Sequence, residues 1–165
     1  MGNHGQRKAV CCIIKNEEWD ISEWIAHYIN LGFDFIVIYN NSSNDRTDEI
    51  VALFGHIADV RLVNWPISDA RYQNKAYLDA MKRFGPECDW FLFVDSDELF
   101  VPLVDNWHQW LSEFDQDVGQ ILVNWTAFGA SNHEKFHSGL VVDSFVHRCS
   151  EDEDGHVYTK PFVRP

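Results

Sequence analysis

The chain has 165 residues, 45% of them hydrophobic and 24% charged, and its 26 acidic side chains outnumber 13 Lys and Arg for a formal net charge of -13. A chain of this length buries roughly 70% of the surface it exposes when unfolded, which supports an ordinary core without disulfide or metal staples. The sequence pI of about 4.8 and the lack of any Lys/Arg cluster exclude nucleic acid and an anionic membrane surface as partners.

Ala9 to Ile14 is a continuous apolar run between Lys8 and Lys15, the pattern of a strand buried on both faces. Within it Cys11 and Cys12 point to opposite faces, and with Cys88 and Cys149 they lack C-x-x-C spacing, so the four read as reduced thiols. His147 and Cys149 share a strand face, but two ligands do not make a zinc site. The polar Lys15-Asn16-Glu17 leads into a helix on which Ile21, Trp24, Ile25, Tyr28 and Ile29 form one apolar face. Asp20 and Glu23 are spaced to cap its first turn, and Gly32 ends it.

Phe35 to Tyr39 reads as a second buried strand, followed by the polar loop Asn40 to Asp45 and a short helix through Ile50 and Leu53. Val60 to Val63 is a third strand. Ser68 or Asp69 caps a longer helix through Tyr72, Ala76, Leu78 and Met81, which Gly85 and Pro86 terminate. Trp90 to Val94 then runs directly into Asp95-Ser96-Asp97-Glu98. A helical stretch spans Trp107 to Phe114, and Val118 to Trp125, Leu140 to Val146 and Val157 to Val163 read as strands. The acidic run Glu151 to Asp154 reads as a solvated turn. The apolar stretches fall far short of the ~20 residues that span a bilayer, so no transmembrane segment is expected.

Alternating strands and helices predict an α/β fold with a mostly parallel sheet and helices on both faces, because parallel neighbours need crossover connections. Such sheets bind ligands at the carboxyl ends of their strands. Three polar loops leave those ends: Lys15-Asn16-Glu17, Asn40 to Asp45, and Asp95 to Glu98. The alternate carboxylates Asp95 and Asp97 are spaced to reach one divalent cation, and oxygen ligands favour Mg2+ or Mn2+. Asn40 to Thr47 opens a helix, where free amides suit a nucleotide, although Asp45 or Thr47 also serves as a plain cap. Gln73 and Asn74 face either solvent or the same crevice. Gly129 and the small residues before His133 and Glu134 permit close approach of backbone to a ligand.

Taken in order, Lys15-Asn16-Glu17 with Glu23-Trp24-Ile25, Gly32-Phe33-Asp34, Tyr39 to Thr47, Trp65-Pro66, Gln73 ahead of Ala76-Tyr77, Trp90 to Phe100, Asn124-Trp125 with Phe128-Gly129, and His133 resemble glycosyltransferases of the GT-A fold. The resemblance is to the family 2-like group and to family 92, and it runs from Val10 to at least Phe145. It implies a Rossmann-like, nucleotide-diphospho-sugar transferase sheet over a single domain, residues 1–165, that transfers a sugar from a nucleotide-sugar donor, a UDP-sugar, to a hydroxyl of a glycan or lipid-linked acceptor. Asp97 is then the principal metal ligand for Mn2+ or Mg2+, with Asp95 near the ribose or the metal. Lys15, Asn16, Glu17, Asn41, Asp45 and Gln73 line the nucleotide pocket.

An inverting enzyme also needs a carboxylate to deprotonate the acceptor, for which Glu134 and Asp143 are the candidates. Two departures stand out: Asn40-Asn41 where family-2 enzymes commonly place an Asp, and Ser131-Asn132 where family 92 often has Ser-Gly. GT-A enzymes usually continue through acceptor-binding elements beyond the point where this sequence stops, so a form truncated in its acceptor half is one reading of it. A cytoplasmic enzyme, peripheral to the membrane, is the expected setting. The rival readings are a nucleotide-sugar-binding module without turnover and an aspartate-nucleophile phosphatase, although the latter expects Thr where Leu99 stands. Because the protein is acidic and a nucleotide sugar is itself an anion, a bound cation becomes close to obligatory.

Overall fold

The computed structural model describes residues 5–134, 139–148, 150 and 158–165. The Glu151 to Asp154 turn, Val157 and the Cys149 half of the His147 pair lie outside the described residues. The chain runs β1 (Lys8–Ile14), α1 (Ile21–Asn30), β2 (Phe35–Asn40), α2 (Thr47–Phe54), β3 (Val60–Asn64), α3 (Tyr72–Phe84), a 3-10 turn at Gly85–Glu87, β4 (Trp90–Phe93), α4 (Trp107–Ser112), β5 (Gln120–Asn124), α5 (Val141–Ser144) and β6 (Thr159–Val163). The six strands form one sheet in the order β3-β2-β1-β4-β6-β5.

The first four strands are mutually parallel, so the predicted Rossmann-like α/β sheet is present. The chain winds outward from β1 through β2 to β3, then returns to place β4 on the other side of β1. That reversal is the topological switch point, where loops splay apart at the carboxyl edge and open a crevice. β6 runs antiparallel between β4 and β5.

Two apolar layers sandwich the sheet, following the alternation of its strands. Val10, Cys12 and Ile14 pack with Ile21, Trp24, Ile25 and Tyr28 of α1, Val51 of α2, and Trp107 and Leu111 of α4. Ala9, Cys11, Phe35, Val37 and Tyr39 pack on the opposite face against Ala76 and Ala80 of α3. The adjacent cysteines therefore serve different layers, and Cys11, Cys12 and Cys88 are free thiols. Gly32 ends α1 at φ 80, where a β-carbon would sit 3.0 Å from His108. No helix among the described residues is long and apolar enough to cross a membrane.

Three sequence expectations need correction. Neither Ser68 nor Asp69 caps α3, whose cap position is Arg71 with no side-chain bond. Asp20 makes no side-chain cap on α1. Glu23 instead accepts hydrogen bonds from the N–H groups of Val141 (2.6 Å) and Val142 (3.0 Å), capping a helix far along the chain. The stretch Leu140 to Val146 is correspondingly not a strand but contains the single turn α5. Free amides at a helix start need an acceptor, and a carboxylate there also opposes the helix dipole. Ser144 adds a closing bond from its hydroxyl to the Leu140 carbonyl (2.6 Å). The long-range bonds from Glu23 and the local one from Ser144 outweigh the β propensity of Val141, Val142 and Val146.

Candidate active site

The three polar loops meet at the carboxyl edge and are built from one another. Asn16, at φ 60, donates its N–H to Ser43 Oγ (2.9 Å) and accepts the Asn44 N–H on Oδ1 (2.8 Å). Glu17 N–H donates to Thr47 Oγ1 (2.9 Å) and Glu18 N–H to Asp45 Oδ2 (3.2 Å). The other Asp45 oxygen accepts from the Thr47 hydroxyl (2.5 Å) and N–H (3.1 Å). Burial acts against ionisation of Asp45, but these bonds outweigh it and hold its carboxyl below the usual aspartate range.

Buried Asn40 accepts from the Ser43 N–H and hydroxyl and donates to Asp48. Asn41 donates from Nδ2 to the carbonyls of Trp65 (3.1 Å) and Ile67 (2.7 Å), which draws the segment after β3 toward β2. An open cleft of about 410 Å³ lies there, lined by Lys15, Glu17, Asn41, Ile67, Ser68 and Tyr72. Its mixture of one aromatic ring, one cation, one carboxylate, one amide and one hydroxyl suits a heterocyclic base and its polar edge.

The acidic loop is held from beneath by α1. Trp24 Nε1 donates to the Asp95 carbonyl (3.1 Å) and the Tyr28 hydroxyl to the Glu98 carbonyl (3.0 Å), while the Phe100 N–H donates to the Tyr28 oxygen (3.1 Å). Its carboxylates are not equivalent. Asp95 Oδ1 accepts from Gln73 Nε2 (2.6 Å) and Oδ2 from Lys160 Nζ (2.6 Å). Glu98 Oε2 accepts from the Asp95 N–H (2.9 Å) and pairs with Lys160 Nζ (2.9 Å). Gln73 is fixed in turn by the Tyr77 hydroxyl, which donates to the Val94 carbonyl. Asp97 is exposed, and among the described residues no side chain pairs with it.

Glu17 lines the cleft and lies close enough to the acidic loop for the Ser96 side chain to favour its ionised form. Burial raises its pKa, the Ser96 bond opposes this, and the nearby charges of Asp20, Asp97 and Asp45 raise it further. The folded state therefore binds a proton more tightly here than the unfolded chain. Stability from this group is complete below the ordinary glutamate value of 4.5 and falls as pH rises through the raised folded value. Glu17→Gln is expected to flatten the decline in melting temperature as pH rises above 4.5, and an unchanged pH profile would refute that assignment.

No set of three His, Cys, Asp or Glu side chains among the described residues forms a metal cage. Asp97 does fit a site completed by a ligand's own phosphates, since Mg2+ is commonly bound by one or two carboxylates plus substrate oxygens. Glu134 and Asp143 are both exposed, in the lobe that α1 fastens through Glu23. His133 Nε2 lies 3.0 Å from the Ser144 carbonyl, tying the segments that carry them. Ser131 and Asn132 adopt φ 48 and φ 66, so Asn132 takes the left-handed backbone that a glycine would supply. Lys160 is the member of this charged cluster that sequence reasoning missed. Its only local signal is a cation near the start of an apolar strand.

The sequence model of glycosyltransferase family 92 matches residues 7–165, nearly the whole chain. The chain belongs to glycosyltransferase family 92. The family 92 protein Os08g0121900 of Oryza sativa subsp. japonica is 25% identical over 98% of this chain and 28% of its own length. The family 92 protein RCOM_0530710 of Ricinus communis is 32% identical over a segment covering 54% of this chain and 15% of that protein. The chain thus spans under a third of the length of these family 92 relatives. Among solved structures, S. aureus TarS 1–349 in complex with UDP aligns with 56% of this chain and 28% of its own at 22% identity and a TM-score of 0.46. Glucosyl-3-phosphoglycerate synthase of Mycobacterium tuberculosis, in complex with Mn2+, UDP and glucosyl-3-phosphoglycerate, aligns with 56% of this chain and 34% of its own at 20% identity and a TM-score of 0.42.

Proposed function

We propose that this chain carries the donor half of a metal-dependent glycosyltransferase. A UDP-sugar lies across the switch point, its base in the cleft beside Lys15, Glu17, Asn41 and Tyr72, and its diphosphate toward Asp97. The observation that carries this reading is the placement of Asp97. It is the one carboxylate of the acidic loop without a protein partner among the described residues, and it follows a buried strand at the edge where the sheet reverses.

Asp97 would hold a Mn2+ or Mg2+ ion, which when bound would supply the positive charge that a departing nucleoside diphosphate requires. The chain's own residues do the rest. Trp24 and Tyr28 fix the backbone of the acidic loop, so Asp97 is presented from a rigid base. Gln73 and Lys160 orient Asp95, whose place at the end of β4 puts it within the same crevice as the ribose or the metal. Asn16 and Asp45 shape the nucleotide side through their backbone bonds, and Asn41 positions the wall of the cleft.

In the transfer itself, the bond from the anomeric carbon to the diphosphate oxygen breaks with its electron pair leaving on the diphosphate. The acceptor oxygen bonds to that carbon and gives up its proton. Glu134 and Asp143 are the candidate bases for that proton if configuration inverts. The acceptor is a hydroxyl of a glycan or a lipid-linked saccharide.

A thermal-shift screen of nucleotide sugars with and without Mn2+ tests the proposal, because a ligand that binds only the folded state raises its apparent stability. A UDP-sugar is expected to raise the melting temperature by several degrees only when Mn2+ is present, about 2.7 kcal/mol of stabilisation at a hundredfold excess over Kd. No shift with any nucleotide sugar would refute the donor-binding reading.

A further inference from the structure

Lys160 is where the fold places a cation that the chemistry of donor binding does not by itself require. β6 pairs antiparallel with β4 at Phe91↔Val163 and Leu92↔Phe162. Continuing that register brings Lys160 alongside the end of β4, where the acidic loop begins. Phe162 is fully buried and packs against the rings of Phe33, Phe100 and Trp107, so the backbone beside Lys160 is anchored in the core. The lysine lines an apolar groove with Tyr77, Met81 and Phe93, and its hydrocarbon stem covers that surface while its ammonium reaches the carboxylates.

The ammonium meets Asp95 Oδ2 at 2.6 Å and Glu98 Oε2 at 2.9 Å, and Glu98 also accepts the Asp95 N–H, so three groups close a ring. The Glu98 side chain is only 11% exposed. Of three carboxylates within four residues, two are thus paired and partly neutralised, Asp95 although its side chain is 40% exposed, and Asp97 alone has no side-chain partner among the described residues. An acidic turn with all three carboxylates free would collect divalent cations without any nucleotide present.

We propose that Lys160 is a positioning residue, the internal counter-ion of the acidic loop, which withholds Asp95 and Glu98 from metal coordination so that a divalent cation binds only together with the nucleotide diphosphate. This rests on the reading of Asp97 as the cation-facing carboxylate. Its consequence is that metal and donor enter the site in a coupled step, with Asp97 and the diphosphate oxygens completing the shell jointly.

The test is Mn2+ binding in the absence of nucleotide, read from the electron paramagnetic resonance signal of free Mn2+, on wild type, Lys160→Gln, Lys160→Met and Lys160→Arg. Lys160→Gln keeps a hydrogen-bond donor and loses the charge, which preserves folding if the methionine variant is unstable. Circular dichroism reports folding of each. The wild type and Lys160→Arg are expected to bind Mn2+ weakly, and the neutral variants about tenfold more tightly, because removing a positive charge at ion-pair distance strengthens the field on a divalent ion. A folded neutral variant whose Mn2+ affinity equals or falls below that of the wild type would overturn the proposal. Failure of the Asp97 reading is distinguishable. If UDP and Mn2+ do not bind wild type together, yet the neutral variants gain Mn2+ affinity, the counter-ion role stands and the donor site lies elsewhere.

Discussion

Asp97→Ala is expected to weaken Mn2+-dependent UDP binding by about 100-fold or more, close to 3 kcal/mol, while leaving the melting temperature nearly unchanged. The two halves of that expectation come from the same observation. Asp97 is exposed and unpaired among the described residues, so its removal leaves no buried group unsatisfied, and surface substitutions of this kind usually stay within about 0.5 kcal/mol. Its carboxylate is also the one free to meet a cation. Asp95→Ala has a different expected signature, because it removes one partner each from Gln73 and Lys160, which keep only Tyr77 and Glu98, and so disturbs both stability and binding. Isothermal titration of UDP in excess Mn2+, paired with thermal denaturation, separates the two. Unchanged affinity in Asp97→Ala would remove Asp97 from the metal role.

Trp24→Ala is expected to have the largest effect on the fold, about 3 to 5 kcal/mol of lost stability. Trp24 is 2% exposed, at the centre of the layer that joins α1 to β1 and β4. Its ring packs 4.5 Å from that of Tyr28, and its Nε1 carries the hydrogen bond to the Asp95 carbonyl. The substitution therefore opens a cavity and frees the acidic loop in one step. For a domain of this size the loss corresponds to a fall in melting temperature of roughly 10 °C or more. Trp24→Phe keeps most of the packing and loses the hydrogen bond, so about 1 kcal/mol is expected from the bond itself. Denaturant unfolding of both variants provides the check, and a loss under 1 kcal/mol in Trp24→Ala would show that α1 does not support the loop as described.

The legible parts of the sequence were those governed by local period. The apolar run Ala9 to Ile14 declared a strand buried on both faces, and the pair Cys11 and Cys12 divided between the two layers as a strand requires. Asp95 and Asp97 were visible because they follow Trp90 to Val94 without a break, and a parallel sheet gathers its strand ends on one edge. Partners set by tertiary closure were not visible. Glu23 sits where a local cap is expected, yet its carboxylate meets amides more than a hundred residues away. Lys160 belongs to a strand that returns antiparallel beside β4 rather than following the order of the chain, and no spacing rule places it next to Asp95. Asn16 and Asp45, read as nucleotide contacts, also hold the first two loops together, a task that only the folded geometry reveals.

The central claim is that the acidic loop and the nucleotide diphosphate share one cation at the switch point of the sheet. Titration of UDP into the wild-type chain with saturating Mn2+ and again with a chelator tests it most directly. Saturable binding with Mn2+, lost by at least 100-fold on chelation, is the predicted result, near 3 kcal/mol of binding free energy. Equal UDP affinity under both conditions would contradict it.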